Sequence, residues 1–203
     1  MSKKFLPEVY TEEARRDIHG LYQAWAGSYE AELAENEYKT PGRVAAALKA
    51  TDTPHDARIL DYGCGTGLGG EALVAEGFTL IDGTDISANM LAEAEAKQIY
   101  GRLWLADREA PVAIPPAEYA VIAAIGVISP GAAPASYLQV LSAALEPGGR
   151  LTFSYNDHAL AAEEYMDALA DLPSYGAKMI FEEFGEHLVG LGSKSSVYVF
   201  EKA

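Results

Sequence analysis

The chain predicts an α/β fold built on a mostly parallel sheet, with helices on both faces and a helical cap at its N-terminus. Strands and helices alternate from Ala57 onward, a nearly continuous apolar run spans Tyr119 to Ile125, and a cluster of glycines follows the first strand. In order, Arg58–Tyr62, Thr79–Thr84, Arg102–Ala106, Tyr119–Ile125 and Arg150–Tyr155 read as strands. Between them Gly67–Glu76, Ala88–Lys97 capped by Ser87, and Pro134–Leu145 read as helices, and His158–Leu172 follows as another. After Pro173 the segments Lys178–Glu183 and Ser195–Glu201, joined by the Gly-rich stretch Gly185–Lys194, predict an antiparallel hairpin that closes the sheet.

Ahead of the sheet, Tyr22, Trp25, Ala26, Tyr29 and Leu33 recur at three- and four-residue steps, which predicts a helix with one apolar face. Thr40-Pro41-Gly42 interrupts it, a second helix begins at Arg43, and Thr51–Asp56 reads as a loop. No internal repeat, low-complexity tract or linker divides the 203 residues, so one domain is expected, with residues 1–55 as the cap and 56–203 as the α/β core.

Composition narrows the function classes. A hydrophobic content of 49% fills a core, and no apolar run approaches the roughly 20 residues of a membrane span. Met1-Ser-Lys-Lys-Phe-Leu-Pro lacks a signal-peptide apolar stretch, so a cytoplasmic protein with no membrane partner is expected. A single cysteine, Cys64, excludes an internal disulfide and a Cys-rich zinc site, and His19, His55, His158 and His187 lack metal-ligand spacing, so no metal is expected. The net charge of −15 repels phosphate backbones, which argues against a nucleic-acid substrate and weakly favours a small neutral or cationic one.

The chemistry-bearing feature is Ile59-Leu-Asp-Tyr-Gly-Cys-Gly-Thr-Gly67. Glycines at 63, 65 and 67 let the backbone turn tightly and approach a ligand. Gly65 to Gly70 also satisfies the dinucleotide pattern G-x-G-x-x-G, and Asp85 follows Gly65 by 20 residues, the spacing of a ribose-binding carboxylate. Two cofactor classes therefore fit. Asp61 at the strand tip, with no Lys or Arg from 61 to 70, favours the cationic S-adenosylmethionine over an anionic pyrophosphate.

Ile59–Gly67 resembles motif I of the class I S-adenosylmethionine-dependent methyltransferases, and Ile81-Asp-Gly-Thr-Asp-Ile-Ser87 resembles their second motif. Asp107 in Leu105-Ala-Asp matches their third acidic position, and Leu145-Glu-Pro-Gly-Gly-Arg-Leu151 matches the turn before their fifth strand. More narrowly, Tyr22–Glu30, Gly126–Gly131, Ser154–His158 and Phe181–His187 resemble the methyltransferase-like proteins named for the Williams-Beuren syndrome region. The resemblance implies a Rossmann-like seven-stranded sheet with one antiparallel strand, and methyl transfer that leaves S-adenosylhomocysteine. It also implies that Gly63, Cys64, Gly65 and Gly67 face the methionine part of the cofactor, that Asp85 takes the ribose hydroxyls, and that Ile86 packs on adenine. Asp107 and Ala106 would read the adenine amino edge, with Met90 lining that pocket.

Gly126 and Val127 end the fourth strand, where open sheets place ligands, and Tyr29 and Trp25 are candidates to close over the cofactor. Arg43 is a candidate partner for the cofactor carboxylate. Methyl transfer from a sulfonium needs alignment and water exclusion more than a base; where a base is used, His158 after the fifth strand is the candidate catalytic residue. His187, Tyr155, Asn156 and Glu183 are candidate acceptor contacts. Ala124-Ile-Gly-Val-Ile-Ser lacks the Asn/Asp-Pro-Pro-Tyr motif of amino-methylating DNA enzymes. The expected activity is thus a methyltransferase with a small-molecule acceptor. The alternatives are a cofactor-binding regulator without catalysis and a nicotinamide-dependent oxidoreductase.

Overall fold

The computed structural model describes residues 4–6, 8, 9, 11, 16–107, 110 and 113–203. Helices α1 (Ile18–Glu35) and α2 (Thr40–Ala50) precede β1 (Arg58–Tyr62), α3 (Leu68–Ala75), β2 (Leu80–Asp85), α4 (Ala88–Ala96) and β3 (Leu103–Leu105). Then follow β4 (Val121–Ala124), α5 (Tyr137–Ala143), β5 (Arg150–Asn156), the short α6 (Asp157–Leu160), α7 (Glu163–Asp171), β6 (Ala177–Glu186) and β7 (Lys194–Lys202). The strands form one seven-stranded sheet in the order β3-β2-β1-β4-β5-β7-β6. Strands β1 to β5 run parallel to their neighbours, while β7 is antiparallel to both β5 and β6. The architecture is the Rossmann-like mixed sheet that the motifs imply.

Alternation along the buried strands supplies both apolar layers. Leu60, Ile122, Leu151 and Phe153 point into one layer with Leu138 and Leu141 of α5, and Ile59, Val121 and Val199 point into the other with Val44 and Leu48 of α2 and Leu73 of α3. Helix α1 packs separately: Trp25 and Leu33 join Leu6, Val9 and Leu188 in a third cluster at the carboxyl ends of the strands.

Several strands and helices differ from expectation by one to three residues at an end, and three differences have a clear local cause. Helix α2 starts at Thr40, because Pro41 in a first turn forfeits an amide that needs no intrahelical partner. The helix expected over 158–172 is divided: Ala162 is extended (φ −99°, ψ 118°) between α6 and α7, and a 3-10 turn covers Leu172–Tyr175. Hairpin pairing continues to Glu186↔Lys194, so β6 is longer than expected and the glycine-containing turn spans 187–193.

Arg43 ties α2 to this hairpin. Its Nε donates to Glu183 Oε1 at 2.8 Å, Nη2 donates to the Glu183 carbonyl at 2.9 Å, and Nη1 donates to Glu186 O, Ser195 O and Ser195 Oγ at 2.9, 3.1 and 2.9 Å. Every nitrogen of the guanidinium is thereby engaged, which corrects the expectation that Arg43 meets the cofactor carboxylate. Arg43→Met leaves these acceptors without their charged donor and is expected to lower stability by about 2–3 kcal/mol. A urea titration in which the midpoint falls and the slope is unchanged checks it; an unchanged midpoint would refute the clamp.

Candidate active site

Sheet order reverses between β1 and β4, and the ends of those strands open a cavity of about 300 Å³. At the β1 exit Gly63 has φ 69°, and a Cβ there would lie 2.6 Å from Val127 Cγ2, so only glycine lets the two strand ends come together. Gly65, at φ 56°, has nothing within 4 Å of the position a Cβ would take. That open space is the cavity itself, which Gly65 lines with Gly63 and Cys64.

Asp85 at the tip of β2 holds this turn in place. Its Oδ2 accepts from Gly65 N at 2.9 Å and its Oδ1 from Ser87 N at 2.8 Å, while Ser87 Oγ caps α4 through Met90 N. Asp85, Ile86, Met90 and Ala106 form the wall on the β2–β3 side, and Gly126 and Val127 form the opposite wall. Burial raises the Asp85 carboxyl, against the pull of its backbone donors.

Helix α1 roofs the cavity with Ile18, His19, Tyr22 and Tyr29. Asn89 N donates to Gln23 Oε1 at 3.1 Å, Asn89 Nδ2 donates to Gln23 O at 2.9 Å, and His19 Nε2 lies 3.1 Å from Ile86 O, which anchors α1 to the first turn of α4. Tyr29 thus lies in the cavity lining. Trp25 stacks edge-on against Tyr29 at 4.7 Å and lines a smaller adjoining pocket of about 40 Å³.

Besides Arg43, the expected site residues Gly67, Asp107 and His158 lie elsewhere. Gly67 is outside the cavity lining: it begins α3 at φ 95°, and a Cβ there would meet Lys97 Cδ and Tyr100 Cε2 at 3.2 and 3.3 Å, so its small size serves packing behind the turn. Asp107 is exposed and outside the lining, because the chain leaves the sheet after β3 and only Ala106 faces inward. His158 is exposed on α6 and lines neither pocket. Asn156 Oδ1 accepts from Ala159 N and Asp157 Oδ2 accepts from Lys194 N, which fixes α6 outside the strand ends.

His187 is inside instead. It is 6% exposed, its Nδ1 lies 2.8 Å from Thr40 Oγ1, and its ring meets Tyr38 edge-on at 5.2 Å. Burial lowers its pKa to about 4, so the imidazole is neutral at physiological pH. Asn156 shares its pocket. Tyr155 is fully buried in the core, with its hydroxyl donating to Tyr165 O, and Glu183 is bound by Arg43, so neither faces a cavity.

Asp61 is 1% exposed behind the turn, where Tyr100 Oη donates to its Oδ2 at 2.7 Å. Burial pushes its carboxyl up to about 7, countered by the Tyr100 hydrogen bond and reinforced by Asp85. Cys64 next to it is a poor nucleophile, since burial and the same two carboxylates raise its thiol well above its ordinary value.

The donor set fits a cationic nucleoside cofactor. No Lys or Arg lines either cavity among the described residues, whereas Asp85 does and Asp61 lies behind it. Thr66 is in the cavity wall, and its Oγ1 is buried without a hydrogen-bond partner. Thr66 was missed by sequence reasoning, as were Tyr38, Tyr62 and Tyr137; only the position of Thr66 inside the glycine turn signalled it. No group of three or more His, Cys, Asp or Glu side chains is placed to hold a metal among the described residues.

Residues 33–185 match the methyltransferase domain family. Human methyltransferase-like protein 27 is 33% identical over 181 residues, 82% of this chain and 72% of that protein. The 18S rRNA (guanine(1575)-N(7))-methyltransferase of Saccharomyces cerevisiae is 49% identical over only 49 residues, 24% of this chain and 18% of that one. Among solved structures, magnesium protoporphyrin IX methyltransferase from Synechocystis PCC 6803 with bound S-adenosylhomocysteine has the same fold (TM-score 0.62, 17% identity, covering 86% of this chain and 87% of that chain). The chain belongs to the methyltransferase domain family, of the class I S-adenosylmethionine-dependent type. Its cofactor is S-adenosylmethionine.

A bound cation favours the carboxylate forms of Asp61 and Asp85, so below pH 7 binding must first displace a proton from Asp61. Cofactor affinity is therefore expected to strengthen as pH rises from 6 to 8 and to level off above, by up to about tenfold per pH unit at the acid end. Calorimetry in buffers of different ionisation enthalpy reads the released proton. Asp61→Asn should flatten the dependence, and an unaltered profile in that variant would reject the assignment.

Proposed function

We propose that this chain transfers the methyl group of S-adenosylmethionine to a small-molecule acceptor, inside a single domain in which helix α1 caps the site while α2 packs into the sheet layer. When bound, the cofactor supplies an electrophilic methyl group on a positively charged sulfur. Asp85 binds the ribose hydroxyls, Ile86, Met90 and Ala106 hold the base, and the turn Gly63-Cys64-Gly65 with Thr66 cradles the methionine part. Helix α1 excludes water through Tyr22 and Tyr29, which matters because a direct displacement gains most from alignment and desolvation.

The observation that carries the small-molecule reading is the lining of the two cavities: it holds no Lys or Arg among the described residues, under a chain of net charge −15. A phosphate backbone finds no counter-charge there. The match to an rRNA methyltransferase extends over only 49 residues, 24% of this chain. A cytoplasmic location accords with the reading, and no described helix is long and apolar enough to cross a membrane.

The four stretches that resemble the Williams-Beuren subgroup converge in space. Tyr22, Trp25 and Tyr29 of the first, Gly126 and Ser129 of the second, Asn156 of the third and His187 of the fourth all line the 40 Å³ pocket beside the cofactor cavity. This convergence supports placing the chain with that subgroup and placing the acceptor there.

Incubation with methyl-labelled S-adenosylmethionine and host extract, fractionated into metabolites and total RNA, tests the reading. Label is expected in the low-molecular-weight fraction; label in RNA would overturn the small-molecule acceptor. Since His158 lies outside both pockets, His158→Ala is expected to keep turnover within about twofold of wild type, against the roughly hundredfold or larger loss that removing a general base brings.

A further inference from the structure

The pocket of about 40 Å³ adjoins the cofactor cavity and shares Tyr22, Tyr29, Tyr38 and Gly126 with it. Its volume suits about three heavy atoms, at 10–15 Å³ for each water-sized occupant. No Asp, Glu, Lys or Arg lines it among the described residues. Its polar groups are all uncharged: the hydroxyls of Tyr22, Tyr29, Tyr38 and Ser129, the Asn156 amide, and two N–H donors, Trp25 and His187.

The first donor is Trp25. Its side chain lines the pocket, the residue is 2% exposed, and Nε1–H is buried with no hydrogen-bond partner. An indole nitrogen donates and never accepts, so this group calls for an acceptor atom. The second donor is set by a one-way line of hydrogen bonds. Arg43 Nη1 donates to Ser195 Oγ at 2.9 Å; the Ser195 proton then goes to Thr40 Oγ1 at 3.0 Å, and the Thr40 proton to His187 Nδ1 at 2.8 Å. Arg43 cannot accept, and Ser195 is fully buried with no other side-chain partner for its hydroxyl proton, so the direction cannot reverse without stranding that proton. His187 Nδ1 is thereby an acceptor and Nε2 carries the hydrogen. Nε2 makes no hydrogen bond to any described residue, and His187 lines the same pocket.

Resting on the methyltransferase reading, we propose that this pocket is the acceptor-recognition subsite and that Trp25 Nε1–H and His187 Nε2–H together bind an uncharged oxygen of carbonyl type on the methyl acceptor. His187 is then a specificity-determining donor, not a base. A carboxylate would enter with no cation to meet it, and an ammonium group would face two donors and no carboxylate. Because Arg43 and the two hydroxyls lock the tautomer, the donor stays a donor across the neutral pH range.

The test uses 15N-labelled protein saturated with S-adenosylhomocysteine, with N-methylacetamide, sodium acetate and methylammonium chloride titrated as probes. The Trp25 indole N–H and His187 imidazole resonances are followed, and the imidazole spectrum shows directly which nitrogen bears hydrogen. N-methylacetamide is expected to move both resonances saturably, with His187 protonated on Nε2, and acetate and methylammonium to move them at least tenfold less at equal concentration. In His187→Phe the N-methylacetamide affinity should fall about tenfold, the loss of one buried hydrogen bond, while S-adenosylhomocysteine affinity stays within about twofold. An equal or larger response to acetate or methylammonium, silence to all three, or hydrogen on Nδ1 would overturn the proposal, and wild-type protein alone decides these outcomes. Failure to bind S-adenosylhomocysteine in calorimetry would instead strike the methyltransferase reading on which the proposal rests.

Discussion

The structure depends on the close approach of β1 and β4 at the centre of the sheet. Their chains leave in opposite directions, β1 turning through Gly63 towards α3 and β4 through Gly126 towards α5, and the gap between those exits is the cavity. The approach is sterically exact: Gly63 has no room for a Cβ against Val127, and a Cβ at Gly126 would come 2.5 Å from Tyr38 Oη. Neither position tolerates a side chain without moving its neighbour, so the site is set by backbone geometry before any functional group is added. The aspartates act on that frame, Asp85 by tethering Gly65 and Asp61 through Tyr100 behind the turn.

Much of this was legible in the sequence because local chemistry and global topology agree. The turn at Gly63–Gly67, the capping Ser87 and the apolar strands need only short-range reasoning, and each sits where the pattern placed it. Gly67 and Asp107 show the limit: both follow the motif by spacing, yet one packs against α4 and the other lies outside the lining. A motif fixes position along the chain, whereas orientation depends on what packs behind it.

The acceptor side was less legible for a different reason. His158 and His187 are comparable in sequence, each near the end of a strand on the same sheet edge. Their fates are decided by Asn156 capping α6, which leaves His158 exposed, and by Thr40 meeting His187 from α2. The second contact joins residues 147 apart in sequence, and no periodicity or spacing rule reaches that far.

That separation has a kinetic side. The hydrogen bonds from Thr40 to His187 and Ser195 span 147 and 155 residues, so they close a loop that contains nearly the whole sheet. Contacts of such range carry their loop entropy before they return any enthalpy, which slows folding. The tether of the cofactor turn, by contrast, joins Gly65 to Asp85, only 20 residues apart. The turn that meets the donor is thus tethered by a near neighbour in sequence, whereas the pocket beside it is held by contacts between opposite ends of the chain.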